Sequence, residues 1–217
     1  MPVKVVIGKD LVEENKKEAE DLKKRFADAG VRVVNILSSP GAGKTSLLEQ
    51  TVPRLTGIRV GAIEGDVATT RDAERLARLG IPVVQITTLG ACHLDSAMIW
   101  TALPEIDISS LDLLFIENVG NLVCPSSFDL GEDLRMVVLS VAEGSDKPAK
   151  YPAAFLSSQV VVINKVDLIP YTDFKMDQAL GEIKALKPSI RTFQVSCRSK
   201  EGLGEWCAWL REWVDRK

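Results

Sequence analysis

The sequence predicts an α/β fold: a mainly parallel sheet of about seven strands flanked by helices. Two observations predict this class. Seven short apolar runs rich in β-branched residues recur along the 217-residue chain, and helical patterns lie between most of them. Strands that alternate with helices form parallel sheets whose two faces are both covered. Such sheets bind ligands at the carboxyl ends of their strands, so the residues that follow each strand are the most informative about function.

The individual elements follow from the apolar periodicity. The predicted strands span residues 31–37, 57–64, 81–87, 111–118, 135–142, 159–165 and 191–196. The helical patterns after them span residues 45–55, 69–79, 94–103, 173–186 and 203–214. An earlier amphipathic helix is predicted over residues 10–29, with Gly30 as its stop signal and one apolar stripe formed by Leu11, Ala19, Leu22, Phe26 and Ala29. We therefore predict an N-terminal helical extension over residues 1–30 and one α/β domain over residues 31–217.

Composition excludes several function classes. Hydrophobic residues make up 46% of the chain and charged residues 26%, the usual balance of a soluble protein. The net charge of −3 argues against binding to a nucleic-acid backbone. No apolar run reaches the ~18 residues of a membrane helix, and the first residues are too polar for a signal peptide. We expect a cytoplasmic protein with reduced, widely spaced cysteines at positions 92, 124, 197 and 207.

A phosphate-binding loop is predicted where the first strand of the sheet runs into SSPGAGKTSLLEQ. Glycines let the backbone turn sharply and point its N–H groups at an anion, and the following helix adds its positive end. Lys44 supplies a charge for the β- and γ-phosphates, and the Thr45 hydroxyl is placed to bind Mg²⁺. Ser38 stands where the strict motif has a glycine. The predicted contacts are Gly41, Ala42, Gly43, Lys44, Thr45 and Ser46.

Guanine is the predicted base, because the sixth strand ends in an N-K-x-D motif formed by Asn164, Lys165 and Asp167. The Asp167 carboxylate can accept both adjacent donors of guanine, a pair that adenine lacks. Asn164 is expected to support the other side of the base, and the stem of Lys165 to cover a ring face. A further loop with Ser196 and Cys197 is predicted at the base edge, although Cys197 also fits a packed thiol. GTP or GDP is therefore the expected nucleotide.

Two further strand ends carry candidate hydrolysis residues. Glu117 and Gly120 match an acid-x-x-glycine pattern that places an acid near Mg²⁺ and a glycine N–H near the γ-phosphate. Asp66 is a second candidate for the Mg²⁺ side, although either carboxylate also fits a helix cap or a surface charge. Lys44, Asp66, Glu117 and Gly120 are the predicted catalytic residues. Because no glutamine follows Gly120 and no arginine is evident as a catalytic finger, we predict slow intrinsic hydrolysis that a partner or a dimer completes.

Cys92 and His93, the latter the only histidine of the chain, follow the third strand, and Cys124 follows the fourth. If these strands are near neighbours, the three side chains converge beside the nucleotide. Thiolate and imidazole suit Ni²⁺ or Zn²⁺, and a second chain, another residue or water must complete the coordination. The alternative is structural: a packed Cys-His pair and a Cys-Pro turn. Cys207, within a tryptophan-rich helical stripe, fits a core position.

Five blocks together resemble the family of HypB hydrogenase maturation GTPases, which help to insert nickel into [NiFe]-hydrogenase. They are SSPGAGKTSLLEQ, EGDVATTRDAERL, GACHLDSAMI, FIENVGNLVCPSSFDLGED and NKVDL. The resemblance implies a P-loop NTPase fold and a GTP-dependent homodimer that pairs across its nucleotide faces. It also implies a metal site of Cys92, His93 and Cys124 at the dimer interface. The implied partners are a nickel-donating accessory protein and the hydrogenase large-subunit precursor.

Three alternatives remain open. The urease nickel-insertion GTPase has a related domain, but its metal motif is Cys-Pro-His, whereas this chain has Cys-His-Leu and a separate cysteine. A GTPase chaperone for a cobalamin enzyme needs no metal ligands at this position. A non-catalytic metal-binding module with a vestigial nucleotide site is disfavoured by intact Lys44, Thr45 and Asp167. Residues 1–30 contain neither cysteine nor histidine, so N-terminal nickel storage is unsupported.

Overall fold

One sheet of seven parallel strands organises the computed structural model, which describes residues 9–216. The strand order is β3-β2-β4-β1-β5-β6-β7. The strands are β1 Arg32–Ser38, β2 Val60–Asp66, β3 Val83–Thr87, β4 Leu113–Glu117, β5 Leu134–Ser140, β6 Val160–Asn164 and β7 Arg191–Gln194. The predicted fold class is confirmed, and each predicted strand coincides with an observed one.

Helices cover both faces of the sheet. They are α1 Lys9–Ala29, α2 Lys44–Thr51, α3 Arg71–Ala77, α4 Ser96–Ala102, α5 Lys147–Lys150, α6 Pro152–Ser157, α7 Met176–Leu186 and α8 Leu203–Asp215. The short helices α5 and α6 are not among those predicted from the sequence. Each has a proline in its first turn and spans four to six residues, too few for a helical period to emerge. Within residues 9–216, no helix combines the length and apolar composition that a membrane span requires.

The strands are apolar throughout because they are buried on both faces. Alternate residues of a strand point to opposite sides: Val162 packs into the cluster beneath α2 and α8, whereas Val161 and Ile163 pack against α6 and α7. Trp206 of α8 is fully buried, and its indole N–H donates to Thr51 Oγ1 at 2.9 Å. The tryptophan-rich stripe of the last helix is therefore core packing.

Helix α1 lies on the opposite face, beside α4. Ala19, Leu22 and Phe26 of the predicted stripe are buried, and Ala29 packs against the same cluster. The side chain of Leu11 and residues 1–8 lie outside the described part of the structure. The division of the chain at residue 30 stays a prediction.

The strand order places the predicted functional loops at one edge of the sheet. Strand β4 lies between β1 and β2, so the loops that follow these three strands are neighbours. Strand β3 pairs with the other side of β2. In this register Glu117 of β4 stands between Ile36 of β1 and Glu64 of β2, so two carboxylates meet at the carboxyl end of the sheet.

Candidate nucleotide site and metal cluster

The phosphate loop has the tight geometry that its glycines predict. Gly43 caps α2 with a left-handed φ of 100°, and a Cβ built on it would lie 2.5 Å from Asn164 Nδ2. Only glycine fits both the backbone conformation and this close approach. Lys44 opens α2, with its Nζ 3.2 Å from Ser38 Oγ and 4.0 Å from Glu117 Oε1. Ser38, at the position where the strict motif has glycine, is therefore a hydrogen-bond partner of the loop lysine.

A polar cavity of about 220 Å³ lies over this loop. The loop surrounds it with backbone N–H groups, the α2 N-terminus and a lysine, the usual setting for phosphate binding. The lining residues are Gly41, Gly43, Lys44, Thr45, Ser46, Asp72, Arg75, Glu117 and Lys165. Ala42 is not among them, because its side chain is fully buried in the core.

Three carboxylates cluster beside this cavity. Oxygens of Glu64, Asp72 and Glu117 lie within 4.8 Å of one another, and Thr45 Oγ1 donates to Glu117 Oε1 at 2.7 Å. Glu64 and Glu117 are each 2% exposed, and their Oε2 atoms have no hydrogen-bond partner among the described residues. Burial raises the pKa of Glu117, and burial with the neighbouring carboxylates raises the pKa of Glu64 to about 8. Hard oxygen ligands with unsatisfied lone pairs next to a threonine hydroxyl fit Mg²⁺.

Asp66 does not belong to this carboxylate cluster. Its Oδ1 accepts hydrogen bonds from the backbone N–H groups of Ala68 at 2.8 Å and Thr69 at 2.6 Å. Although burial opposes ionisation, these hydrogen bonds outweigh it and lower the pKa of Asp66. The carboxylate thus shapes its own loop, and its Mg²⁺ role stays a prediction. Glu64 was not predicted, although an acid inside an apolar strand run is a usable signal.

An arginine that was not predicted also faces the phosphate cavity. The guanidinium of Arg75 donates to Glu49 at 2.6 Å, to Asp72 at 2.8 Å and to Ser46 Oγ at 3.0 Å. It links α3 to the phosphate-loop helix and fixes Asp72 within the carboxylate cluster. In the sequence, Arg75 and Asp72 are part of an ordinary charged helix pattern, so nothing local distinguishes them from solvated surface residues.

Gly120 approaches the phosphate loop closely. A Cβ on Gly120 would lie 3.0 Å from Pro40 Cα, tighter than ordinary packing allows. The absence of a side chain therefore lets the loop after β4 pack directly on the phosphate loop. This placement fits the predicted γ-phosphate contact, which stays a prediction.

A second cavity, of about 350 Å³, adjoins the first and lies between the phosphate-loop helix and the N-K-x-D loop. Asp167 and Cys197 line it, and the buried Ser196 hydroxyl bonds to Asp167 Oδ1 at 2.5 Å, which orients the carboxylate. The full lining is Gly43, Ser46, Glu49, Gln50, Asn164, Lys165, Asp167, Leu168, Cys197 and Arg198. Burial raises the pKa of Cys197 to about 11, so this thiol stays protonated. The cavity has the position of a nucleotide base.

Asn164 and Lys165 hold loops together in addition to lining this cavity. Asn164 Nδ2 donates to the Ala42 carbonyl at 3.0 Å, and its Oδ1 accepts from the backbone N–H of Cys197 at 3.4 Å. Lys165 has a φ of 64°, and its Nζ donates to the Gly41 carbonyl at 2.7 Å. The N-K-x-D asparagine therefore ties the phosphate loop to the base loop, a positioning role that its sequence motif does not specify.

The cluster of Cys92, His93 and Cys124 forms across two loops. One ligand atom from each lies within 4.8 Å of the others, although β2 separates the strands that carry them. Cys92 is exposed, whereas the other two are half-buried. The His93 ring packs against Phe128 at a tilt of 31° with centroids 4.0 Å apart, and burial lowers the pKa of the imidazole. A neutral imidazole and two adjacent thiols are a donor set for Ni²⁺ or Zn²⁺.

Comparisons with known proteins agree with this geometry. The family model for the CobW/HypB/UreG nucleotide-binding domain matches residues 32–194. The hydrogenase maturation factor HypB of Azotobacter vinelandii is 45% identical over 94% of the chain and 68% of that protein. The hydrogenase/urease maturation factor HypB of Helicobacter hepaticus is 38% identical over 98% of the chain and 88% of that protein.

A solved structure of a relative has the same fold as this chain. The crystal structure of HypB from Helicobacter pylori in complex with nickel superimposes with a TM-score of 0.89 at 38% identity, covering 93% of this chain and 95% of that one. The resemblance indicated by the five sequence blocks is confirmed. The chain belongs to the CobW/HypB/UreG family and is a P-loop GTPase.

Proposed function

We propose that this GTPase is a metallochaperone that couples GTP binding, GTP hydrolysis and homodimerisation to nickel insertion during [NiFe]-hydrogenase maturation. One observation carries the proposal. Glu117, the last residue of β4, lines the phosphate cavity, and the loop that follows packs on the phosphate loop at Gly120 and reaches Cys124 of the cysteine–histidine cluster. A single short segment therefore serves both candidate sites. The relatives are named hydrogenase maturation factors, and one was crystallised with nickel.

The first part of the proposal assigns roles to the residues of the phosphate cavity. Lys44 neutralises charge on the β- and γ-phosphates, and the Gly120 N–H contacts the γ-phosphate. The oxygen of a water molecule bonds to the γ-phosphorus while the bond from this phosphorus to the β–γ bridging oxygen breaks, which yields GDP, inorganic phosphate and a proton. Thr45, Glu117 and Glu64 would hold Mg²⁺, which neutralises phosphate charge when bound. Their two unpartnered carboxylate oxygens support this assignment.

The second part of the proposal, recognition of the base, rests on Asp167. Its carboxylate lines the second cavity and is oriented by Ser196, as recognition of the two adjacent guanine donors requires. Asn164 and Lys165 connect this cavity to the phosphate loop. GTP and GDP are therefore the proposed ligands.

The third part of the proposal assigns Ni²⁺, as cargo, to Cys92, His93 and Cys124. Zn²⁺ suits the same donors. Three protein ligands leave coordination positions that a second copy of the chain can fill. Two exposed apolar residues support such pairing: Leu89 is 90% exposed and Val123 is 59% exposed, and each lies within three residues of a cysteine ligand. A homodimer across the nucleotide faces would cover both.

The proposal extends to partners and place. A nickel donor and the hydrogenase large-subunit precursor are the expected protein partners, and the cytoplasm, where thiols stay reduced, is the expected location. The same chemistry would serve the urease precursor, and the Helicobacter relatives, named hydrogenase/urease maturation factors, favour urease as a second client. Nickel-transfer assays with each apo-protein separate the two clients.

The first test measures bound nickel and zinc per chain, with mass by light scattering, in GDP·Mg²⁺ and in a non-hydrolysable GTP analogue with Mg²⁺. We expect dimer mass with the analogue and a nickel stoichiometry or affinity that differs between the two states. Cys124→Ala should lose nickel and keep GTP binding, whereas Cys207→Ala, a buried thiol in the α8 core, should keep both. Identical metal content and monomer mass in both states would refute the coupling.

A further inference from the structure

Asn121 touches the nucleotide loop through its backbone. It forms an isolated antiparallel bridge with Ser38, the last residue of β1. The Ser38 hydroxyl accepts from Lys44 Nζ at 3.2 Å, so this serine is also in contact with the phosphate-binding lysine. The preceding residue, Gly120, packs on Pro40. A shift of the phosphate loop therefore displaces the Asn121 backbone directly.

The side chain of the same residue reaches the metal cluster. Asn121 Nδ2 donates to the Cys92 carbonyl at 3.3 Å, and its Oδ1 accepts from the Val123 N–H at 2.9 Å. Val123 directly precedes the ligand Cys124, so this bond holds the backbone next to the thiol. The Asn121 side chain thus contacts both cysteine loops, the one after β3 and the one after β4.

The neighbouring asparagine has a different role. Asn118 is fully buried, and its Oδ1 accepts from the N–H groups of Leu94 at 3.1 Å and Val119 at 3.0 Å. Its Nδ2 donates to Asn35 of β1 at 3.3 Å. These contacts anchor the bases of the two loops to the sheet. The part of the loop beyond Asn118, where Asn121 lies, carries the contacts that join the phosphate loop to the cysteine cluster.

We propose that Asn121 is the positioning residue that transmits the nucleotide state to the cysteine ligands. Loss of the γ-phosphate shifts the Gly120–Asn121 backbone against the phosphate loop, and the amide then moves the Cys92 carbonyl and the Val123 N–H, next to Cys124, relative to each other. The metal site is thereby tighter in one nucleotide state than in the other. This inference rests on the proposed function, because it concerns the coupling between the two sites.

The test titrates NiSO₄ into full-length protein saturated with GDP·Mg²⁺ or with a non-hydrolysable GTP analogue, and follows the thiolate-to-nickel charge-transfer absorbance. The ratio of the two nickel dissociation constants measures coupling. For the wild type we expect a ratio of about fivefold or more, within the usual range of allosteric coupling. Asn121→Leu keeps the size of the side chain and removes its hydrogen bonds, so the ratio should fall below about twofold while nickel still binds.

Two further variants keep the test decisive. Asn121→Asp retains the acceptor for Val123 but loses the amide donor, and it should also lose coupling even if the leucine variant fails to fold. Ser126→Ala is the matched control: its hydroxyl donates to the Val123 carbonyl at 2.7 Å within the loop after β4, and no described hydrogen bond joins it to the loop after β3 or to the phosphate loop. It should keep the wild-type ratio.

The outcomes separate this inference from the proposed function. A wild type that binds GTP and nickel with a ratio of one would refute the coupling itself. A coupled wild type whose ratio survives in both Asn121 variants overturns only the role of Asn121. Loss of nickel binding in both nucleotide states would also overturn it, since Asn121 would then maintain the metal site instead of transmitting the nucleotide state.

Discussion

Replacing Glu64 by glutamine tests the carboxylate cluster most directly. Glu64 is almost fully buried on β2, opposite Glu117 of β4 and close to Asp72. Burial, followed by repulsion from neighbouring carboxylates, raises its pKa from 4.5 to about 8. Glutamine has the same size and carries no charge. The substitution therefore removes the repulsion without opening a cavity.

The direction and size follow from proton linkage. Between pH 4.5 and pH 8 the folded protein holds a proton on Glu64 that the unfolded chain has lost, so the stability of the wild type falls as pH rises through this window. Each pH unit in this window lowers the free energy of unfolding by about 1.4 kcal/mol. Above pH 8 the ionised Glu64 therefore costs the folded protein at most about 5 kcal/mol. Water that enters the cluster screens part of this cost. We therefore expect the free energy of unfolding of Glu64→Gln to exceed that of the wild type by about 2–4 kcal/mol at pH 8. The gain should disappear near pH 4.5.

Urea unfolding between pH 5.5 and pH 8.5, in EDTA and without nucleotide, measures this difference by tryptophan fluorescence, which changes on unfolding because Trp206 is buried. The free energies of unfolding of the two proteins should diverge steadily with pH. Glu20→Gln, at an exposed position on α1, controls for the loss of one negative charge. Parallel pH profiles for wild type and Glu64→Gln would refute the reasoning.

The same pair of proteins tests the cation assignment. If Glu64 helps to hold Mg²⁺, then GDP·Mg²⁺ must stabilise the wild type more than Glu64→Gln, since the variant lacks one charged oxygen ligand. Ligand binding would then narrow the difference in the free energy of unfolding that the two proteins show in EDTA. Equal stabilisation by GDP·Mg²⁺ would place the cation away from Glu64.

Three other substitutions test the nucleotide site. Lys44→Ala should lower kcat for GTP hydrolysis about 100-fold or more, because it removes the charge that faces the transferred phosphoryl group; steady-state phosphate release measures this, and unchanged turnover would contradict the assignment. Asp167→Asn should weaken GTP about 10- to 100-fold and favour xanthosine triphosphate, as competition binding will show; unaltered GTP affinity would exclude base recognition by Asp167. Gly120→Ala places a methyl group 3.0 Å from Pro40 and should slow single-turnover hydrolysis more than it weakens GDP binding, with equal effects on both arguing against γ-phosphate sensing.

The fold is predictable from the sequence because its signals are local. A strand buried on both faces is a continuous apolar run, and the phosphate loop is a contiguous motif, so β1, Gly43 and Lys44 fall where their patterns place them. Helices α5 and α6 were not predicted because they lack such a local signal: each is too short, and begins too close to a proline, for a helical period to be visible. Local patterns thus fix the elements but not the strand order.

The candidate site is less predictable because its geometry depends on that order. Glu64 meets Glu117 only since β2 pairs with β4, a neighbour that lies about fifty residues further along the chain. Asp66, the acid selected from its strand-end position, instead binds its own loop. Asn164 illustrates the same limit: its motif predicts base support, whereas its contacts with Ala42 and Cys197 depend on how two distant loops pack.

The strand order also explains how one small domain can bring the candidate phosphate site close to the candidate metal site. The cysteine–histidine ligands come from the loops after β3 and β4, on either side of β2, and β4 also pairs with the strand that feeds the phosphate loop. Gly120 and Cys124 are four residues apart, a span of at most about 14 Å even when extended. The hydrogen bonds of Asn118 hold the start of this segment in place. A displacement at Gly120 would therefore move Cys124 as well, because the few residues between them can absorb little of it. The coupling that we propose between the two sites would therefore follow from this connectivity, and the hydrogen bonds of Asn121 would transmit it.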